Sequence, residues 1–175
     1  PVGGLEACAA MGGDLNNVLV FHSLSKRSNA AGLRIGFVAG DPDLLTKFGA
    51  LRSYGGAQVP LPLQEAATAL WRDEAHVDEN RARYRRKFDI CEEILKDRFG
   101  FYRPRGGFCL WLDVGEGESA ALKLWREAGL RSLPGPYIGR ANAQGVNPGQ
   151  RYIRLAIVHD DDTVAAGMRR LVRVL

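Results

Sequence analysis

Ser23-Leu24-Ser25-Lys26-Arg27-Ser28-Asn29-Ala30-Ala31-Gly32-Leu33-Arg34-Ile35-Gly36 is the stretch on which the reading of this chain turns. It puts hydroxyls, a lysine, a guanidinium and two glycines into one short segment. Hydroxyl donors and a planar cation can grip a phosphate, and a lysine beside them can present an amine. Each residue alone says little, because lysine and serine are common on surfaces. The segment lies between two apolar runs, residues 18–21 before it and 33–39 after it, the second closed by Gly40. Two strands flanking a turn-rich loop are therefore expected.

Working outward, Asp41-Pro42-Asp43 reads as a helix cap with proline in the first turn, and the helix runs to about Tyr54 before Gly55-Gly56 ends it. Residues 62–98 are helical in composition, as two helices broken near Asp73. In the second, Tyr84, Phe88, Cys91 and Leu95 recur at helical spacing and form one apolar stripe, with Arg81, Arg83, Arg85 and Arg86 on a solvated face. Beyond Gly100, Phe108, Leu110, Leu112 and Val114 alternate with Cys109, Trp111 and Asp113, the period of a strand. A helix over 119–128, short strands over 130–133 and 152–158, and a last helix over 160–174 follow. That last helix has an acidic first turn and a basic last turn, matching its macrodipole. The second half thus reads as helices on a mostly antiparallel sheet, and the chain as α/β.

Composition narrows the partners. Of 175 residues 46% are hydrophobic, enough for a buried core. The net charge of +4 is spread along the chain without a basic block or binding motif, so no nucleic-acid partner is expected. The apolar runs are too short and interrupted to span a bilayer, and none reads as a signal peptide, so no membrane partner is expected either. Cys8, Cys91 and Cys109 are odd in number and widely spaced, which fits reduced thiols of a cytoplasmic protein and gives neither a disulfide framework nor a zinc site. No metal is expected.

Spacing adds what the single residues lack. Ser23-x-Ser25-Lys26, followed by Arg34 with Gly32 and Gly36 on either side, resembles the cofactor-lysine signature of class I/II aminotransferases at every specified position. The likeness extends through Asp41-Pro42, Pro60-Leu61-Pro62-Leu63-Gln64, Gly106-Gly107-Phe108-Cys109-Leu110-Trp111, Leu133-Pro134-Gly135 and Tyr152-Ile153-Arg154-Leu155. The resemblance implies the C-terminal part of a fold type I pyridoxal-phosphate-dependent transferase. Residues 1–61 would be an incomplete C-terminal part of the large cofactor-binding domain, and 62–175 the small C-terminal α/β domain.

It implies roles as well. Lys26 would hold pyridoxal 5'-phosphate as a Schiff base and act as general acid/base. Ser23, Ser25 and Arg34 would bind the cofactor phosphate, and Arg154 the substrate α-carboxylate. Without the resemblance, Arg154 would read as a strand arginine paired with a nearby acid. His22 is expected to be structural, and Phe108 and Trp111 to be core and pocket wall. Tyr54 and residues 55–62 lie where relatives contact a neighbouring subunit, so a homodimer is expected. Amino acids and α-keto acids would be the substrates. Within the family, Ser-Leu-Ser-Lys-Arg-Ser-Asn and the Phe-x-Leu-Trp-Leu-Asp segment are most similar to N-succinyldiaminopimelate aminotransferases of lysine biosynthesis, with aspartate aminotransferase-like enzymes close behind.

The chain also departs from the family pattern. The glycine-containing phosphate loop, the stacking aromatic and the Asn, Asp and Tyr that hold the cofactor ring do not occur before Lys26. The start at Pro1 suggests a true N-terminus upstream, and a C-terminal fragment of this kind is expected to be inactive by itself. A noncatalytic α/β module that retains the lysine motif is the alternative. Arg27 and Arg105 are candidates for reading a distal carboxylate by charge alone.

Overall fold

The apolar run before the lysine pairs with the one after it. In a computed structural model, which describes residues 2–56 and 58–175, Leu19–Ser23 (β1) and Gly36–Gly40 (β2) form an antiparallel ribbon. Its register sets Ser23 opposite Gly36 and Leu19 opposite Gly40. The second strand starts later than the apolar run suggests. Ala31–Leu33 close a turn of 3-10 helix and Arg34 takes a left-handed conformation (φ 53°, ψ 40°), so extended backbone resumes only past it. Gly36 is needed by space: a Cβ there would stand 2.5 Å from the His22 carbonyl oxygen. Nothing lies within 4 Å of a Cβ at Gly32, and the fold gives no reason for glycine at that position.

The chain divides into two compact units, one ending at Asn80 and the other Arg81–Leu175. The first holds Gly4–Ala10 (α1), the ribbon, the one-turn helix Leu24–Arg27 (α2), Pro42–Gly55 (α3), Leu61–Arg72 (α4) and the start of Ala75–Leu95 (α5). Asp41 caps α3 by accepting from the Asp43 and Leu44 amides, and it accepts a third bond from Asn17. These bonds, Asn17 first, hold its carboxyl below the usual carboxylate range. The first compact unit runs past position 61/62 to take in α4 and the start of α5. The reason is packing: Leu63, Ala67, Leu70 and Trp71 of α4 join Leu24, Leu33 and Ile35 of the lysine loop in one apolar cluster.

The second unit is built on Cys109–Asp113 (β3), Tyr152–Ala156 (β5) and Leu133–Pro134 (β4), an antiparallel sheet of order β3-β5-β4. Leu110, Leu112, Ile153 and Leu155 point to one face, where they meet Gly117–Ala128 (α6) through Leu124 and Asp161–Val174 (α7) through Leu171. The α5 stripe completes this core, with Phe88, Cys91 and Leu95 buried and Tyr84 packed at its edge. Burial pushes the Cys91 thiol up to about 11, and all three cysteines are free. Lys87 is buried too; its ammonium donates to the Val158 carbonyl at 3.4 Å and sits 4.9 Å over the Tyr84 ring.

The strand expected over 130–133 is a correction. Gly129 ends α6 in the left-handed region and the Leu130 amide returns to the Leu124 carbonyl, so residues 130–132 serve the helix exit and pairing starts at Leu133. Among the described residues, no helix is long and apolar enough to cross a membrane and no metal-binding cluster occurs.

Candidate active site

Local hydrogen bonds fold the lysine loop. Ser23, the last residue of β1, caps α2: its Oγ accepts from the Ser25 amide at 3.1 Å and lies 3.1 Å from the Ser25 hydroxyl. The Leu24 amide donates to the Ile35 carbonyl, and the amides of Ser28 and Ala30 return to the Leu24 carbonyl. Leu24, with no exposed surface, roots the turn in the apolar cluster. Lys26 is exposed on this turn, two residues past the buried leucine. The structure therefore brings Ser23, Ser25 and Lys26 together at the end of the ribbon. Arg34 closes the same loop, exposed, with its guanidinium donating to the Ala31 carbonyl at 2.9 Å.

Arg154 lies in the second unit, at the centre of the sheet. Its register partners are Trp111 of β3 on one side and Leu133 of β4 on the other. Ile153 and Leu155 face the core, so Arg154 stands on the opposite, open face. The Trp111 ring stacks on Tyr152 at 5.2 Å and 11°. The acid of β3 is engaged elsewhere: Asp113 accepts from Arg151 Nε at 3.0 Å, which holds its carboxyl below the usual range. Among the described residues neither Arg154 nor Arg34 forms an ion pair, whereas Arg27, Arg86, Arg103 and Arg151 do.

His22 fits its structural reading. Its Nδ1 accepts from the Ser23 amide at 2.9 Å and its ring packs on Phe37 and Trp71. Arg27 is not a group awaiting a carboxylate. Its side chain is 10% exposed and is committed to Leu70, Trp71 and Glu74. Sequence reading missed this contact, since its partners lie in a helix more than forty residues away. A cleft of about 420 Å³ lined by Arg52, Gln64, Thr68 and Trp71 reaches the loop at Ile35 and Gly36, but Ser23, Ser25 and Lys26 do not line it.

Comparison with known proteins shows the family. Residues 3–171 match the family model described as aminotransferase class I and II. The chain is 36% identical over 172 residues to the 4-dedimethylamino-4-oxo-anhydrotetracycline transaminase OxyQ of Streptomyces rimosus, covering 98% of this chain and 46% of that protein. It is 35% identical over 157 residues to an LL-diaminopimelate aminotransferase of Syntrophobacter fumaroxidans, covering 86% of this chain and 38% of that one. Among solved structures, an aminotransferase from Neisseria meningitidis superposes with a TM-score of 0.92 at 42% identity, over 99% of this chain and 44% of the other. The aminotransferase AspB of Helicobacter pylori gives 0.84 at 36% identity, over 97% and 44%. The chain thus spans less than half the length of these relatives. With the match running nearly end to end, the chain belongs to the class I and II aminotransferases.

Proposed function

We propose that the protein of which this chain is part transfers an amino group between an amino acid and an α-keto acid with pyridoxal 5'-phosphate, and that Lys26, Ser23, Ser25, Arg34 and Arg154 serve it. One observation carries the reading: two arginines at family positions, Arg34 and Arg154, form no ion pair among the described residues. A neutralised arginine would be a poor anion site.

The residues present fit the cofactor. The adjoining Ser23 and Ser25 hydroxyls are donors for a dianionic phosphate, and Arg34 supplies a planar cation. When bound, pyridoxal phosphate supplies the carbonyl that amines condense with and a ring that accepts an electron pair. Lys26 would supply the amine that holds the cofactor and a base for moving a proton at the substrate Cα. Arg154 has the fork for the substrate carboxylate and would fix the direction of the Cα–H bond. The Trp111–Tyr152 stack beside it offers an apolar wall for the rest of the substrate.

For the substrate, several of the similar proteins share one skeleton. The curated relatives include LL-diaminopimelate aminotransferases, and a fold neighbour at 26% identity from Thermus thermophilus is described as a probable N-succinyldiaminopimelate aminotransferase. We therefore favour N-succinyldiaminopimelate as substrate with glutamate as partner, in lysine biosynthesis, and aspartate or another amino acid as the alternative. A homodimer is proposed on the exposure of Tyr54 and Leu61, within the segment where the resemblance puts a subunit contact, and of Leu51 beside it. The domain division at 61/62 and a cytoplasmic location belong to the same proposal.

The full-length enzyme, assayed with glutamate and a panel of keto acids, is expected to exchange the amino group by ping-pong kinetics and to prefer the N-succinylated diaminopimelate precursor. Preference for an aspartate-derived or aromatic keto acid would remove the pathway assignment and keep the reaction. Absence of exchange with any of them would favour a noncatalytic module.

A further inference from the structure

Lys26 sits on a helix of a single turn, and such a helix does not hold itself. Its front is fixed by the Ser23 cap and by buried Leu24. Its rear is fixed by Arg27, the residue after the lysine. The Arg27 guanidinium donates to the Leu70 carbonyl at 2.8 Å and reaches the Trp71 carbonyl at 3.5 Å, both in the last turn of α4, where carbonyls lack partners within the helix. It lies 4.9 Å over the Trp71 ring and pairs with Glu74 in the link to α5. Trp71 in turn packs on His22 and Phe37 of the ribbon. One planar cation thus joins the lysine turn, the end of α4 and the aromatic cluster, and it is largely buried while Glu74 is mostly exposed.

We infer that Arg27 is a positioning residue for Lys26: it clamps α2 to the α4 C-terminus, so that the lysine turn keeps one orientation when its amine is attached and released. The inference rests on the cofactor reading of Lys26. A lysine could supply the charge but not the fork that bonds two carbonyls while stacking on an indole.

The test uses the full-length enzyme, pyridoxal phosphate and borohydride, well below each variant's thermal midpoint, and measures label at Lys26 relative to Lys47, Lys87, Lys96 and Lys123. In Arg27→Met this ratio is expected to fall about tenfold, the scale of a slightly misplaced reacting group. Arg27→Lys should recover part of it, and Glu74→Gln, which removes only the exposed ion pair, should keep most of it. A role confined to stability would lower the thermal midpoint and leave the ratio unchanged, which overturns the proposal. Should Arg27→Met fail to fold, Arg27→Lys decides, and a wild-type ratio there overturns it as well. Label that is unselective already in the wild type would instead overturn the cofactor reading of Lys26, and the clamp with it.

Discussion

Replacing Arg154 by Ala in the full-length enzyme should lower kcat/KM in both half-reactions by roughly 100-fold, about 3 kcal/mol, the scale of removing one member of a desolvated charge pair. The expectation follows from where the residue stands. It is central in a three-stranded sheet, on the open face, flanked by Trp111 and Leu133, with the nearest acid of β3 held by Arg151. Removing it breaks no ion pair among the described residues, and stability should change little. Covalent attachment at Lys26 should survive. Steady-state kinetics of each half-reaction beside a thermal melt check this, and full activity in Arg154→Ala would withdraw the carboxylate assignment.

Leu124→Ala should destabilise the second unit by about 3–4 kcal/mol, as large-to-small changes at fully buried leucines do. Leu124 has no exposed surface and belongs to the cluster that joins α5, α6 and α7 to the sheet. A unit of ordinary stability cannot lose that much and stay robust. Because Ile153 and Leu155 rest on the same core, the strand that presents Arg154 depends on it. Denaturant unfolding followed by the Trp111 and Trp125 signals should show the midpoint fall. An unchanged midpoint would mean that the site closes over the lost volume.

Much of this was legible in the sequence, for identifiable reasons. The stripe Tyr84, Phe88, Cys91, Leu95 and the alternation through Leu110 and Leu112 each carry the period of their element, and both face the core. The break between α4 and α5 at Asp73 was marked by local chemistry: Asp73 accepts from the Ala75 amide and from His76. What escaped depends on distant partners or on backbone conformation. The helix α1 is seven residues long and buries none of them, so it has no core face to read. Arg34 adopts φ 53°, which a glycine would advertise and an arginine does not. The engagement of Arg27 with α4 is invisible to any local pattern. The same limit applies to substrate choice, since the residues that read a distal carboxylate are set by tertiary placement rather than by spacing.

The most direct measurement is covalent trapping. The full-length enzyme mixed with pyridoxal phosphate, reduced with borohydride and mapped by peptide should carry its label mainly on Lys26, the lysine that the Ser23 cap and buried Leu24 hold in place. Label spread evenly over Lys26, Lys47, Lys87, Lys96 and Lys123 would contradict the assignment of Lys26 as the cofactor lysine.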